Sequence, residues 1–154
     1  MLFFTGVSRF SSEVQKDTMS NQEEKLVQLK EILSLVNDAQ DILESKHSNL
    51  NDFGRLLHHT WELKRKTGRK ISNGSIDALY ERGLKAGALG GKLLGAGGGG
   101  FLLFYVEPDK REDLLKELDE LMHVPFRFED EGTSVVHYNP IVYIPRKELN
   151  LNFD

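Results

Sequence analysis

With 154 residues, 39% of them apolar and 29% charged, the chain is long enough for one well-buried domain and too short for two large ones. It contains no Cys, which excludes disulfides and thiolate metal sites and fits a reducing cytoplasm. A net charge of −4 argues against nucleic-acid binding, and no apolar run approaches the roughly 20 residues that cross a bilayer.

Leu2 to Thr5 reads as a short buried strand. The chain opens on it with no leader or cap, which suggests a piece of something longer. A polar loop follows, and Ser20-Asn21-Gln22-Glu23 fits a capping box at a helix start. The series Leu26, Leu29, Leu33, Val36 and Leu43 then repeats at helical spacing, with Ile32, Ala39 and Ile42 widening the stripe. Its roughly three heptads with an interrupted seam argue for packing within the domain or for a dimer contact, so a homodimer stays among the expected partners.

A second helix starts near Asn51 or Asp52 and ends at Gly68, with Phe53, Leu56, Leu57, Thr60, Trp61 and Lys64 on one face. A third runs from about Ser75 to Ala88, carrying Ile76, Leu79, Tyr80, Gly83, Leu84 and Gly87. It leads into a glycine-rich loop that ends in the strand Phe101 to Val106. Pro108 opens a fourth helix with Leu114, Leu115, Leu118, Leu121 and Met122 inward, and Pro125 closes it. Phe126–Glu129 and Thr133–Tyr138 resemble a hairpin turning at Asp130-Glu131-Gly132. Residues 140–154 form a tail that fits an edge strand or an arm. The order implies an α+β, ferredoxin-like sandwich, about four antiparallel strands covered by about four helices, in a domain spanning 1–139.

Gly95-Ala96-Gly97-Gly98-Gly99-Gly100 is the most informative stretch. A flexible linker is the bland reading of a glycine run. This one has no Ser padding and runs straight into a buried strand. Glycine costs backbone entropy, so so many in a domain interior point to positive φ or close backbone approach. Successive main-chain amides in such a turn can cradle an anion. The literal match of Gly95, Gly97 and Gly100 to G-x-G-x-x-G is accidental, because a dinucleotide fingerprint follows a strand and opens a helix. Lys92 is followed by Leu where a P-loop needs Ser or Thr. A loop placed after a helix C-terminus would also face an unfavourable dipole, so it suits one wall of a site whose main anion-binding helix lies elsewhere.

Gly87-Ala88 with Gly90-Gly91-Lys92-Leu93-Leu94-Gly95-Ala96-Gly97-Gly98-Gly99-Gly100-Phe101 closely resembles the third motif of the GHMP kinases. Phe4-Thr5-Gly6-Val7-Ser8-Arg9, Leu56-Leu57-His58 with Trp61-Glu62-Leu63-Lys64, Ile71-Ser72 and Ile76-Asp77-Ala78-Leu79-Tyr80 resemble the heptose-phosphate and galactokinase-like branch. The resemblance implies the C-terminal half of an ATP- and Mg2+-dependent sugar or sugar-phosphate kinase, with Gly95 to Gly100 beside the ATP phosphates. Thr5, Ser8 and Arg9 would then lie on the sugar side. Arg9 has the fork to pair a substrate phosphate, with a solvated loop arginine as the equal alternative.

Nothing in this sequence matches the family's Pro-x-x-x-Gly-Leu-Gly-Ser-Ser-type helix start. The magnesium carboxylate and the catalytic acid-base residue belong to the same N-terminal half, so no catalytic or metal residue is assigned here. The resemblance therefore implies an N-terminal GHMP domain as partner and no turnover from this chain alone. Heptose 7-phosphate is the acceptor the branch suggests; galactose and fucose stay open. The competing reading is a free-standing ferredoxin-like binding or dimerisation module.

Lys64, Arg65, Lys66, Arg69 and Lys70 flank a helix C-terminus, where cations are favourable, and a phosphate contact from Lys64 is the alternative reading. His58 and His59 point about 100° apart on a helix and cannot share a metal. Asp77 sits in a first helical turn, where the dipole accounts for it. Trp61 reads as core.

Overall fold

The structure, a computed structural model, describes residues 1–7, 22–135 and 137. The elements run β1 (Leu2–Phe4), α1 (Gln22–Glu44), α2 (Leu50–Lys66), α3 (Gly74–Lys85), β2 (Ala88–Leu93), β3 (Phe101–Val106), a 3-10 turn (Pro108–Lys110), α4 (Arg111–Glu117) and β4 (Met122–His123). All strand pairs are antiparallel, in the order β2-β3-β1-β4. That order, with helices after β1 and after β3, is the ferredoxin-like arrangement, with three helices in its first crossover. The expected α+β class and a sheet of four antiparallel strands are both present, though only β1 and β3 are among the strands expected.

Pairing places Phe3, Leu102 and Leu93 opposite one another, and all three are fully buried. One layer along, the Phe104 ring stacks on Tyr80 and meets Phe3 edge-on. Gly83 of α3 leaves room for that ring, since a Cβ there would stand 2.5 Å from it. Trp61, Ile71, Ile76, Leu114 and Leu118 complete the core, and the Trp61 reading holds. On α2, Asn49 caps the first turn by accepting from the Asn51 amide, and the Thr67 hydroxyl donates to the Lys64 carbonyl at the other end. The helix stops at Lys66, and Gly68 follows the Thr67 cap directly, in the position expected of a C-terminal glycine.

Four expectations change. The third helix ends at Lys85, because Gly87 turns at φ 101, and residues 88–93 form β2. The glycine run therefore joins two strands of a hairpin and does not follow a helix. The fourth helix ends at Glu117, once Leu114 and Leu118 are buried, and Met122 is recruited to pair with Phe4 on the open edge of β1. The hairpin expected over 126–138 is absent from its described residues, where Phe128 and Val135 stand exposed with nothing to bury them.

The stripe assigned to α1 is also turned. Ile32, Ala39 and Ile42, read as its margin, lie on the partly buried side of a helix that packs on α2, while Leu26, Leu29, Leu33, Val36 and Leu43 face outward. Ser20 of the expected capping box and the 140–154 tail lie outside the described residues.

α2 packs mainly on β2 and α1. The approach to β2 is close because Gly90 has no side chain: a Cβ there would stand 2.0 Å from the Gly54 carbonyl oxygen and 2.8 Å from the His58 nitrogen. Both neighbours are backbone and cannot rotate away. Gly90→Ala is expected to destabilise the domain by about 3 kcal/mol, at the upper end of overpacking effects. Gly74→Ala, which meets open space, should change stability by less than about 1 kcal/mol. Urea unfolding midpoints of the two variants check this.

Candidate functional site

The hairpin between β2 and β3 is tied down by backbone from three other places in the chain. The Gly98 amide donates to the Ile71 carbonyl at 2.8 Å, and the Gly100 amide donates to the Val7 carbonyl at 2.8 Å. The Thr5 amide and hydroxyl both donate to the Gly100 carbonyl, at 2.8 and 2.9 Å. Glycine is required most clearly at Gly97, where φ is +118 and a Cβ would stand 2.7 Å from Ile71 backbone atoms. The turn is therefore a fixed structure, as expected of glycines chosen for positive φ and close approach.

Its amides divide into two sets. Those of Gly98 and Gly100 are spent inside the protein. Among the described residues, those of Gly95, Ala96, Gly97 and Gly99 have no hydrogen-bond partner. Because the loop follows β2, the α3 C-terminus does not run into it, although the last turn of α2 comes beside it through Lys64.

Beside the turn lies an open cavity of about 480 Å³. Thr5 and Val7 form one wall, the residues that hold Gly100; Asn73, Gly74, Ser75, Ile76 and Leu79 form the other. Asn73 caps α3 by accepting from the Ser75 and Ile76 amides at 3.1 Å each. The positive end of the α3 dipole thus borders the cavity. Of the residues expected on the substrate side, Thr5 is at the cavity and bonded to the loop, while Ser8 and Arg9 lie outside the described residues.

Lys64 is placed differently from a residue that merely neutralises a helix end. Its ammonium donates to the Gly95 carbonyl at 2.7 Å. Burial, and secondarily the nearby Lys92 ammonium, hold its pKa below the ordinary lysine value. No carboxylate among the described residues forms an ion pair with either ammonium. Two cations beside uncommitted amides form a surface suited to an anion. The sequence reading passed over Lys92 because it failed the P-loop pattern, and it did not single out Asn73 to Ser75. The Asn-Gly-Ser cap before a helix was the available signal for the latter.

The remaining polar residues have structural partners. His58 stacks on Tyr80, with its Nδ1 2.8 Å from the Tyr80 hydroxyl, while His59 turns outward to Glu31. The Tyr80 hydroxyl reaches the Gly91 carbonyl, and burial raises its pKa. Asp77 accepts from the Ser72 hydroxyl and pairs with Arg65. No group of three His, Asp or Glu that could hold a metal occurs among the described residues, and no described helix is long and apolar enough to cross a membrane.

The family model for the C-terminal domain of the GHMP kinases matches residues 27–124. The chain belongs to the GHMP kinases. This GHMP kinase C-terminal domain is 31% identical over 140 residues to the D-glycero-alpha-D-manno-heptose 7-phosphate kinase of Campylobacter jejuni, an alignment covering 87% of this chain and 40% of that protein. It is 41% identical over 69 residues to the mevalonate kinase of Methanocaldococcus jannaschii, covering 45% of this chain and 21% of the relative. The crystal structure of L. major mevalonate kinase in complex with R-mevalonate shares its fold, with TM-score 0.64 at 24% identity over 77% of this chain and 37% of that one. The domain thus spans about two fifths of the length of the heptose kinase.

Because the two ends of the glycine turn differ in surroundings, they should differ in tolerance. Gly97→Ala is expected to cost about 3 kcal/mol and Gly95→Ala, which meets open space at φ +78, about 1 kcal/mol, by urea denaturation. Lys64 gives a pH signature of defined sign. Its folded pKa lies below its unfolded one, so the unfolded chain binds more protons between the two values. Stability should therefore rise with pH across that alkaline window, and Lys64→Met should flatten the rise.

Proposed function

We propose that this domain forms one wall of the active cleft of an ATP-dependent kinase that phosphorylates a sugar phosphate. The observation that carries the reading is the rigid glycine turn, with the uncommitted amides of Gly95, Ala96, Gly97 and Gly99, set beside an open cavity and two ammonium groups. Heptose 7-phosphate is the first acceptor to test, on the strength of the Campylobacter relative. The cytoplasm, where both ATP and sugar phosphates occur, is the expected setting.

ATP would supply the phosphoryl group, with Mg2+ neutralising its charge. This chain's own part is to bind and orient. The turn's amides and the Lys64 and Lys92 ammoniums would hold phosphate oxygens, the latter through charge-assisted hydrogen bonds. Thr5, on the opposite side of the same turn, would face the acceptor, with Ser8 and Arg9 following it in sequence. The metal ligands and the main phosphate-binding helix would come from an N-terminal kinase domain, so the isolated chain should not turn over ATP.

The test compares this chain with a polypeptide that also carries the N-terminal domain, assayed with Mg-ATP and heptose 7-phosphate, mevalonate or galactose. Turnover is expected only in the longer protein and chiefly with heptose 7-phosphate. In that protein, Gly97→Val with Gly98→Val should lower kcat/KM for ATP about a hundredfold, the scale of losing a preorganised donor. Lys64→Met should raise the KM for ATP about tenfold, the scale of one charge-assisted hydrogen bond. Full activity in the double glycine variant would overturn the role given to the turn. Absence of activity in the longer protein with every acceptor would favour a free-standing binding module.

A further inference from the structure

α1 carries two apolar faces, and the fold uses one of them. In heptad terms Leu26, Leu29, Leu33, Val36, Gln40 and Leu43 occupy successive a and d positions, while Ile32, Ala39 and Ile42 lie on the side that packs on α2. The a/d seam is open to solvent: Leu33 is 69% exposed, Val36 57% and Leu43 58%, with Leu26 and Leu29 at 47% and 42%. A stripe of this length, about 25 Å from Leu26 to Leu43, is long for a surface with no partner among the described residues.

The seam has a symmetry that selects its occupant. Laid antiparallel against a copy of itself, Leu26 falls opposite Leu43, Leu29 opposite Gln40, and Leu33 opposite Val36. Each a position thus meets a d position, as an antiparallel two-helix seam requires. The charges agree with that orientation. Lys30 and Glu44 occupy e positions near opposite ends of the helix, and both are exposed. Side chains lean toward the N-terminus of their own helix. In the antiparallel pair Lys30 of one copy therefore reaches toward Glu44 of the other, twice about the two-fold axis. A parallel pair would set e against g, bringing Lys30 of one copy toward Lys25 of the other and Glu44 toward Ala39, and would lose this complementarity.

We propose that the outward face of α1 is a self-association surface, on which a second copy of this chain docks its own α1 antiparallel. An isologous two-fold contact of this kind closes on itself and leaves the glycine turn, on the far side of α2, outside the seam.

The test is sedimentation velocity of the full chain. A dimer is expected at tens of micromolar. Leu33→Glu with Val36→Glu should give a monomer with an unchanged helical circular dichroism spectrum, because both positions are already exposed. Lys30→Glu should weaken the dimer a few-fold, and adding Glu44→Lys should restore it, the scale of exposed ion pairs. Orientation can be read directly because the chain has no cysteine. In Leu26→Cys with Leu43→Cys, positions 26 and 43 are about 25 Å apart along one helix and cannot link within a chain. Oxidation should therefore yield peptides joining 26 to 43 across two copies. Links of 26 to 26 and 43 to 43 would overturn the antiparallel pairing. A wild-type chain that stays monomeric at about 100 μM, as it would if another segment covered the seam, would overturn the proposal itself.

Discussion

Main-chain hydrogen bonds from Val7, Thr5 and Ile71 converge on the turn between β2 and β3, and the candidate site is built outward from them. A run of glycines has the largest conformational entropy to lose, so side-chain packing could not hold it. Acceptors from distant parts of the chain do so instead, and each lies on a segment already anchored by the core. Ile71 is buried, and Val7 and Thr5 continue from β1, which is clamped between β3 and β4. The resulting turn gives up two of its amides to become rigid and leaves the others without a partner among the described residues. Rigidity and binding capacity come from the same backbone.

The second requirement is charge, and it arrives through packing. α2 can lie directly on β2 only because Gly90 has no Cβ, and Gly54 admits the Tyr105 ring in the same contact. That approach carries the last turn of α2 to the level of the glycine hairpin, where Lys64 bonds to the Gly95 carbonyl. An ammonium partly removed from water beside another ammonium is held at an energetic cost, seen in its lowered pKa. A phosphate placed there would relieve that cost. Lys64 meets the turn for a reason that lies in helix-on-strand geometry and not in any local sequence motif.

Much of this was legible in advance. The strand character of Leu2–Phe4 and Phe101–Val106, the α2 and α3 boundaries to within a few residues, and the core roles of Trp61, Tyr80 and Leu114 all followed from periodicity and capping. The misreadings share one cause. Gly90 and Gly91 have poor strand propensity, and β2 exists because α2 needs a surface without side chains. Met122 looked helical until the unpaired edge of β1 claimed it. On α1, the more regular of two apolar stripes was assigned to the core, although the less regular one packs on α2.

What the sequence determined by itself was the family, through the glycine run and its flanking residues, and the α+β class with about four antiparallel strands, although β2 and β4 stand where a hairpin over 126–138 was expected. These depend on local identity and spacing, which are written along the chain. Which amides of the turn stay uncommitted, that Lys64 reaches it, where the cavity opens and which face of α1 remains bare were decided only in three dimensions. Each depends on contacts between segments dozens of residues apart, such as Gly100 with Val7 and Lys64 with Gly95. No local pattern encodes such a contact, because its energy exists only once the intervening chain has folded.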